Sequence, residues 1–237
     1  MSQPTPIKVA VYLYPKADVL DFTGPAEAFS APSPSFGPPP FTVTTFAHHT
    51  PIHTACAALT YVPNATFSSV ASTIEDYDVL VIPGSSEQIL ADLIASNKGK
   101  QVIAMLQRFA AAPPRKEIGK RVLQSVCTGA ILVAAAGVLT GRKVTTHHLS
   151  FAMLKRVADE AAGGDSQIQI MKELRWVDGG LNEQGVRIVH AAGVSSGIDV
   201  SVWTVGHFAG EAQKKWVAEF VEFEPRDAAW GFGVQQA

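Results

Sequence analysis

The sequence predicts an α/β fold: a doubly wound, mostly parallel sheet with helices on both faces. Three observations carry that prediction. Short, continuously apolar runs recur, as at residues 78–82 (DVLVI), and such runs suit strands covered on both faces. Helical stretches separate them, so strands and helices alternate as in successive βα units. No internal repeat and no composition break interrupts the alternation, so residues 1–237 are expected to form one domain with its core at about 7–225.

The elements follow in order. Residues 7–14 (IKVAVYLY) read as a buried first strand. Thr23-Gly24-Pro25 reads as a helix start, with Pro25 at the first helical position and Glu27 near the positive end of the dipole; this helix runs to about Phe29. Five prolines between residues 30 and 40 mark a loop. Residues 41–47 and 59–62 are strand candidates, and 78–82 is a central strand. Helices are expected at 87–96 and 101–111. Residues 121–126 (RVLQSV) form another strand, and the Ala-rich stretch 129–136 a helix ended by Gly137. A short strand at 143–145 and a helix at 148–159 come next. The last strands are 167–171, 174–177 and 186–190, with Gly179-Gly180 in a hairpin-like turn. Helices at 198–209 and 211–220 close the pattern.

Composition narrows the function. The chain is 47% apolar and 17% charged, as in a globular protein with a generous core. Its net charge is −2 and it has no basic block, so nucleic acid is not an expected partner. The longest apolar run, residues 130–139, is interrupted by Gly137 and falls short of the ~20 residues a membrane span needs. The first residues lack a secretory apolar stretch, and only Cys56 and Cys127 are present, so a reducing, cytoplasmic setting is expected. His48-His49 and His147-His148 are adjacent pairs, and neighbours in sequence point in different directions. With no HExxH or CxxC spacing, neither a metal nor a cofactor is expected.

Sheets of this kind place ligands at the carboxyl ends of their strands. Ser125-Val126-Cys127-Thr128-Gly129-Ala130 joins a strand directly to a helix there, the arrangement of a nucleophile elbow. The helix start directs N–H groups and positive dipole at the sulfur, so a thiol pKa below the free value of ~8.5 is expected. The alternative is an ordinary buried thiol. Cys56 has no such junction and reads as structural. Gly129 and Ala130 are small enough for close approach of backbone and substrate. The N–H groups of Gly84 and Ser85, on the turn after the central strand, are candidates to receive developing negative charge beside the elbow; the bland reading is a tight turn. Thr128 reads equally as a hydrogen-bond partner of the reacting group and as a polar first-turn residue. On spacing alone Asp21 reads as a helix cap, and so does Asp199. Trp230-Gly-Phe-Gly233 reads as a tail.

Asp78-Val-Leu-Val-Ile-Pro-Gly84, Val126-Cys-Thr-Gly-Ala130, Ala136-Gly-Val-Leu-Thr-Gly141, Thr145-Thr-His147 and Ala192-Gly-Val-Ser-Ser-Gly-Ile-Asp199 together resemble the ThiJ/PfpI superfamily, which is glutamine amidotransferase-like. The resemblance covers the chain from Val9 to about Pro225. Leu20-Asp-Phe-Thr-Gly-Pro25 narrows it towards isocyanide hydratases and the similar domains of AraC-type regulators. Those regulators carry a helix-turn-helix domain after this one, for which 237 residues are expected to leave no room. Protease-like members place His after the nucleophile, where this chain has Thr128, and many carry Glu where it has Asp21. Ser85 stands where a second Gly is common. The resemblance implies catalysis by Cys127, Asp21 and Thr128, with substrate or oxyanion binding at Gly84, Ser85 and Gly129. It implies hydration of a small-molecule electrophile, an isocyanide becoming an N-substituted formamide through a Cys127 thioimidate, and a homodimer. The alternatives are a glyoxalase-like or other thiol-based hydro-lyase or hydrolase acting on a small carbonyl compound, and a ligand-binding or redox-sensing protein without turnover.

Overall fold

The computed structural model describes residues 5–55 and 59–227; Cys56 and the segment 230–233 lie outside them. β1 (Ile7–Tyr12) is an apolar strand buried along nearly its whole length. α1 (Val19–Ser30) follows, and its N-cap is Asp18, whose carboxylate accepts from the Leu20 N–H. The helix therefore begins at Val19 rather than Pro25: a capping carboxylate satisfies an otherwise unpaired N–H. Asp21 lies inside the first turn and is not the cap. Pro25 sits within the helix, where its missing N–H leaves the Asp21 carbonyl without the usual donor.

β2 (Phe41–Ala47), β3 (Ile52–His53), β4 (Thr60–Tyr61) and β5 (Ala65–Thr66) come next, then α2 (Phe67–Ser72). α2 was not foreseen; six Ser-rich residues carry too little apolar periodicity, and the helix is nucleated by Thr66 capping the Ser69 N–H. β6 (Val79–Ile82), α3 (Glu87–Ala95), α4 (Asn97–Ala111), β7 (Arg121–Ser125) and α5 (Gly129–Ala135) follow the expected order. The end of α5 is marked by Gly137 at φ +74°. Then come β8 (Lys143–Val144), α6 (Phe151–Ala162), β9 (Gln169–Ile170), β10 (Trp176–Leu181), β11 (Val186–Ala191), α7 (Ser196–Ala209) and α8 (Glu211–Phe220).

The main sheet has the order β10-β11-β7-β6-β1-β2-β5, parallel except for the β10–β11 hairpin. The pairs β3–β4 and β8–β9 form two small separate sheets. The four residues of β6 are all buried, as are the five of β7, because helices cover both faces. The hairpin turn is not at Gly179-Gly180. It falls at residues 182–185, where Asn182 Oδ1 accepts from the Gln184 and Val186 N–H groups and Gly185 takes φ +84°. Gly179-Gly180 instead forms an irregularity within β10, with Gly180 at φ +82° and the register shifting between Asp178 and Leu181. Asp199 does not cap α7. It lies in the helix's first turn, accepts from Arg175 Nε at 2.8 Å and from the Arg226 N–H at 2.6 Å, and so ties two other segments to the helix.

Candidate active site

The chain winds outwards from β1 through β2 and β5 on one side, and through β6, β7 and β11 on the other. This reversal opens a crevice at the carboxyl ends of β1 and β6. Asp21 enters it from α1, Gly84 follows β6, and Cys127 follows β7. Asp21 is fully buried. Its Oδ2 accepts from the Gly84 N–H at 2.8 Å, and its Oδ1 has no directed hydrogen-bond partner.

Cys127 is 6% exposed and adopts φ +55°, a left-handed conformation that turns the chain sharply between β7 and α5. The elbow is braced on both sides. The Cys127 N–H donates to the Ala191 carbonyl at 3.2 Å, and Thr146 Oγ1 donates to the Cys127 carbonyl at 2.9 Å. Backbone N–H groups of Thr128 and Val194 stabilise the sulfur. Val194 has φ +26°, a strained value for a β-branched residue, in the turn that presents its N–H to the thiol.

Burial pushes the Asp21 carboxyl up to about 8, against the Gly84 N–H and a weaker interaction with the Cys127 thiol. Burial also pushes the thiol up to about 12, and the nearby Asp21 charge adds to the rise. The depressed thiol pKa expected from the helix start is therefore corrected. The Thr128 N–H does favour thiolate, but desolvation outweighs it. The two groups repel each other's charge, so they titrate as a pair. The proton on Asp21 belongs on Oδ1, since Oδ2 already accepts from Gly84.

The candidate oxyanion donors need correction as well. The Gly84 N–H is committed to Asp21, the Ser85 N–H donates to Thr128 Oγ1 at 2.8 Å, and the Gly129 N–H donates to the Val126 carbonyl at 2.9 Å. Thr128 Oγ1 in turn donates to the Ser85 carbonyl at 2.6 Å, so its hydroxyl clamps the 84–85 turn and is not free for a substrate. The glycines serve close packing. A Cβ at Gly84 would stand 2.4 Å from Thr128 Oγ1, and one at Gly129 would stand 2.2 Å from the Ile82 carbonyl oxygen. Near the sulfur, the Thr128 and Val194 N–H groups favour the thiolate.

Cys127 opens on a pocket of about 460 Å³ lined by Asp18, Ser85, Glu87, Thr128, His147 and Val194, among others. His147 is a site residue that sequence reasoning passed over as half of an unpromising pair. Its position just after β8 was the available signal. Its Nδ1 accepts from the Leu149 N–H at 3.4 Å, which places the ring proton on Nε2, and burial lowers its pKa, keeping it neutral. Behind the elbow, His190 is fully buried with Nδ1 2.7 Å from Ser125 Oγ and Nε2 unpartnered. Burial pushes it down to about 3. Among the described residues no group of three or more His, Cys, Asp or Glu could hold a metal ion, and no helix is long and apolar enough to cross a membrane.

This architecture has counterparts. A ThiJ/PfpI family protein from Pseudomonas syringae superposes with a TM-score of 0.69 at 23% identity, covering 94% of this chain and 77% of its own. DJ-1beta of Drosophila melanogaster gives 0.67 at 15% identity, covering 93% and 100%. An AraC family transcriptional regulator from Pseudomonas putida gives 0.65 at 18% identity, covering 91% and 100%. At these identities the likeness is one of fold. A Streptomyces lividans protein, described as uncharacterised and in the cpoL 5′ region, is 33% identical over 151 residues, 64% of this chain and 94% of the relative. The family model described as the DJ-1/PfpI family matches residues 7–170, the stretch that supplies Asp21, Gly84 and Cys127, and the chain belongs to that family.

Proposed function

We propose that this protein hydrates a small electrophile through Cys127, and that the electrophile is an isocyanide, converted to an N-substituted formamide. The observation that carries the reading is the buried Cys127–Asp21 pair, with one carboxyl oxygen left without a directed hydrogen bond and the sulfur opening on the 460 Å³ pocket. The terminal carbon of an isocyanide must receive a nucleophile and a proton on the same atom. A sulfur and an acidic oxygen that interact directly suit that demand.

The reactive form is the minor tautomer of the singly protonated pair, in which the thiol proton has passed to Asp21 Oδ1 and left thiolate on Cys127. The sulfur bonds to the terminal carbon while Oδ1 gives that carbon its proton, leaving a thioimidate and an Asp21 carboxylate. The carboxylate takes a proton from water as the water oxygen adds to the same carbon. Asp21 returns that proton to nitrogen. The tetrahedral species then collapses: the carbon–sulfur bond breaks, the added hydroxyl proton passes to Asp21, and the carbonyl forms. One isocyanide and one water yield one formamide, and the pair regains its starting proton. The Thr128 and Val194 N–H groups stabilise the sulfur both as nucleophile and as leaving group.

The test is formamide production from aryl and alkyl isocyanides by the purified protein. Turnover should fall at least ~10³-fold in Cys127→Ala, with the melting temperature nearly unchanged. Absence of turnover across a panel of isocyanides would remove the substrate assignment.

A further inference from the structure

We infer that the substrate carries a carboxylate at the end remote from the reacting carbon, held by Lys172 and Arg175 in a second cavity beside the first. This rests on Cys127 being the nucleophile and extends that reading to substrate class. The second cavity has a volume of about 310 Å³ and shares His147 and Val194 with the pocket at Cys127. Val194 joins the two spaces: its N–H faces the sulfur and the residue lines both cavities.

The two cavities differ in charge. The pocket at the sulfur has Asp18 and Glu87 in its lining, whereas the second has Lys172 and Arg175 and, among the described residues, no Asp or Glu. Arg175 is held in place by Asp199 at 2.8 Å and by Ser195 Oγ at 3.1 Å, so it supplies an oriented guanidinium whose charge is largely balanced. Lys172 supplies the net positive charge. Its ammonium lies 6.0 Å from the centroid of the Phe151 ring, which belongs to the same lining. Phe151, Leu174 and Ala192 add apolar surface to the same lining. An apolar or aromatic body ending in a carboxylate fits this combination of surfaces. The acidic rim of the first pocket disfavours an anion anywhere but in the second.

The experiment uses the full chain and two alkylating reagents of one shape, 4-(bromomethyl)benzoate and 4-(bromomethyl)benzamide, with modification of Cys127 quantified by peptide mass spectrometry. The carboxylate reagent should label Cys127 roughly fivefold faster at low ionic strength, the scale of one partly exposed ion pair. The preference should vanish in Lys172→Gln and at high salt, while the benzamide rate stays constant. Lys172→Glu should reverse the preference. Equal rates in the wild type, or a preference that survives Lys172→Gln, would overturn the inference and leave the nucleophile standing. Failure of both reagents to label Cys127 in the folded protein would overturn the nucleophile, and the inference with it.

Discussion

The two ends of β6 and β7 bury ionisable groups in opposite ways. At the amino ends, Asp78 is fully buried and fully engaged, accepting from the Lys8 N–H at 2.8 Å and from Arg115 Nε and Nη2 at 2.9 and 2.5 Å. Arg121, 1% exposed, donates to the carbonyls of Ile74, Glu75, Tyr77, Ala112 and Pro113 and lies 4.5 Å over the Phe109 ring. At the carboxyl ends, Asp21 keeps one oxygen unpartnered, Cys127 has φ +55° and Val194 has φ +26°. One end spends its polar groups on holding the strands, and the other leaves them unsatisfied and strained. The same parallel strands thus keep satisfied polar groups and unsatisfied ones a strand length apart.

That contrast can be broken from either side. At the carboxyl end, Asp21→Asn should lower turnover by ~10²–10⁴-fold, because the proton donor is lost while the side-chain volume is kept. The melting temperature should hold or rise, since a buried carboxyl with an idle oxygen is replaced by an uncharged amide. A large loss of stability in this variant would mean that the site is structural after all. At the amino end, Arg121→Met should cost ~3–5 kcal/mol in denaturant unfolding, because several buried carbonyls lose their donor together. The kinetic constants of the fraction that remains folded should be those of the wild type; altered constants would show the two ends to be coupled. The smallest effect sharpens the boundary. Thr128→Val keeps the shape but removes the clamp on the 84–85 turn, and should cost ~1–3 kcal/mol with a modest fall in turnover. Turnover falling as far as in Cys127→Ala would return the hydroxyl to the reaction itself.

The sheet was legible because its buried strands are short apolar runs and its helices are periodic; β6, β7 and α5 fell where the pattern put them. What failed were local competitions between polar groups. Asp18, not Thr23, captured the helix start because its carboxylate reached the Leu20 N–H. Asn182, not Gly179-Gly180, captured the hairpin turn by accepting two N–H groups. At the site, Cys127 was legible from its junction, but its pKa direction was not. The helix start is visible in sequence, whereas the burial that overrides it comes from segments as distant as Val194 and Asp21. The commitment of the Gly84 and Ser85 N–H groups is equally a matter of tertiary neighbours, and so is the seat of His147 on the pocket wall.

The buried imidazole behind the elbow has a consequence for acid–base behaviour of the whole molecule. His190, lowered from an ordinary 6.5 to about 3, is neutral in the native state where the unfolded chain binds a proton, so its contribution makes stability climb as pH rises from about 3 to 6.5. Asp21, raised from an ordinary 3.8 to about 8, holds a proton in the native state that the unfolded chain has lost, so its contribution makes stability decline from about 3.8 to 8. Between about 4 and 6.5 these two slopes oppose each other, and of the two only the Asp21 decline remains from there to about 8. The melting temperature of the wild type relative to Asp21→Asn should therefore fall as pH rises from about 4 to 8, and a difference that does not change with pH would refute this. A histidine behind the elbow thus opposes, in mild acid, the pH response of the carboxyl buried near Cys127.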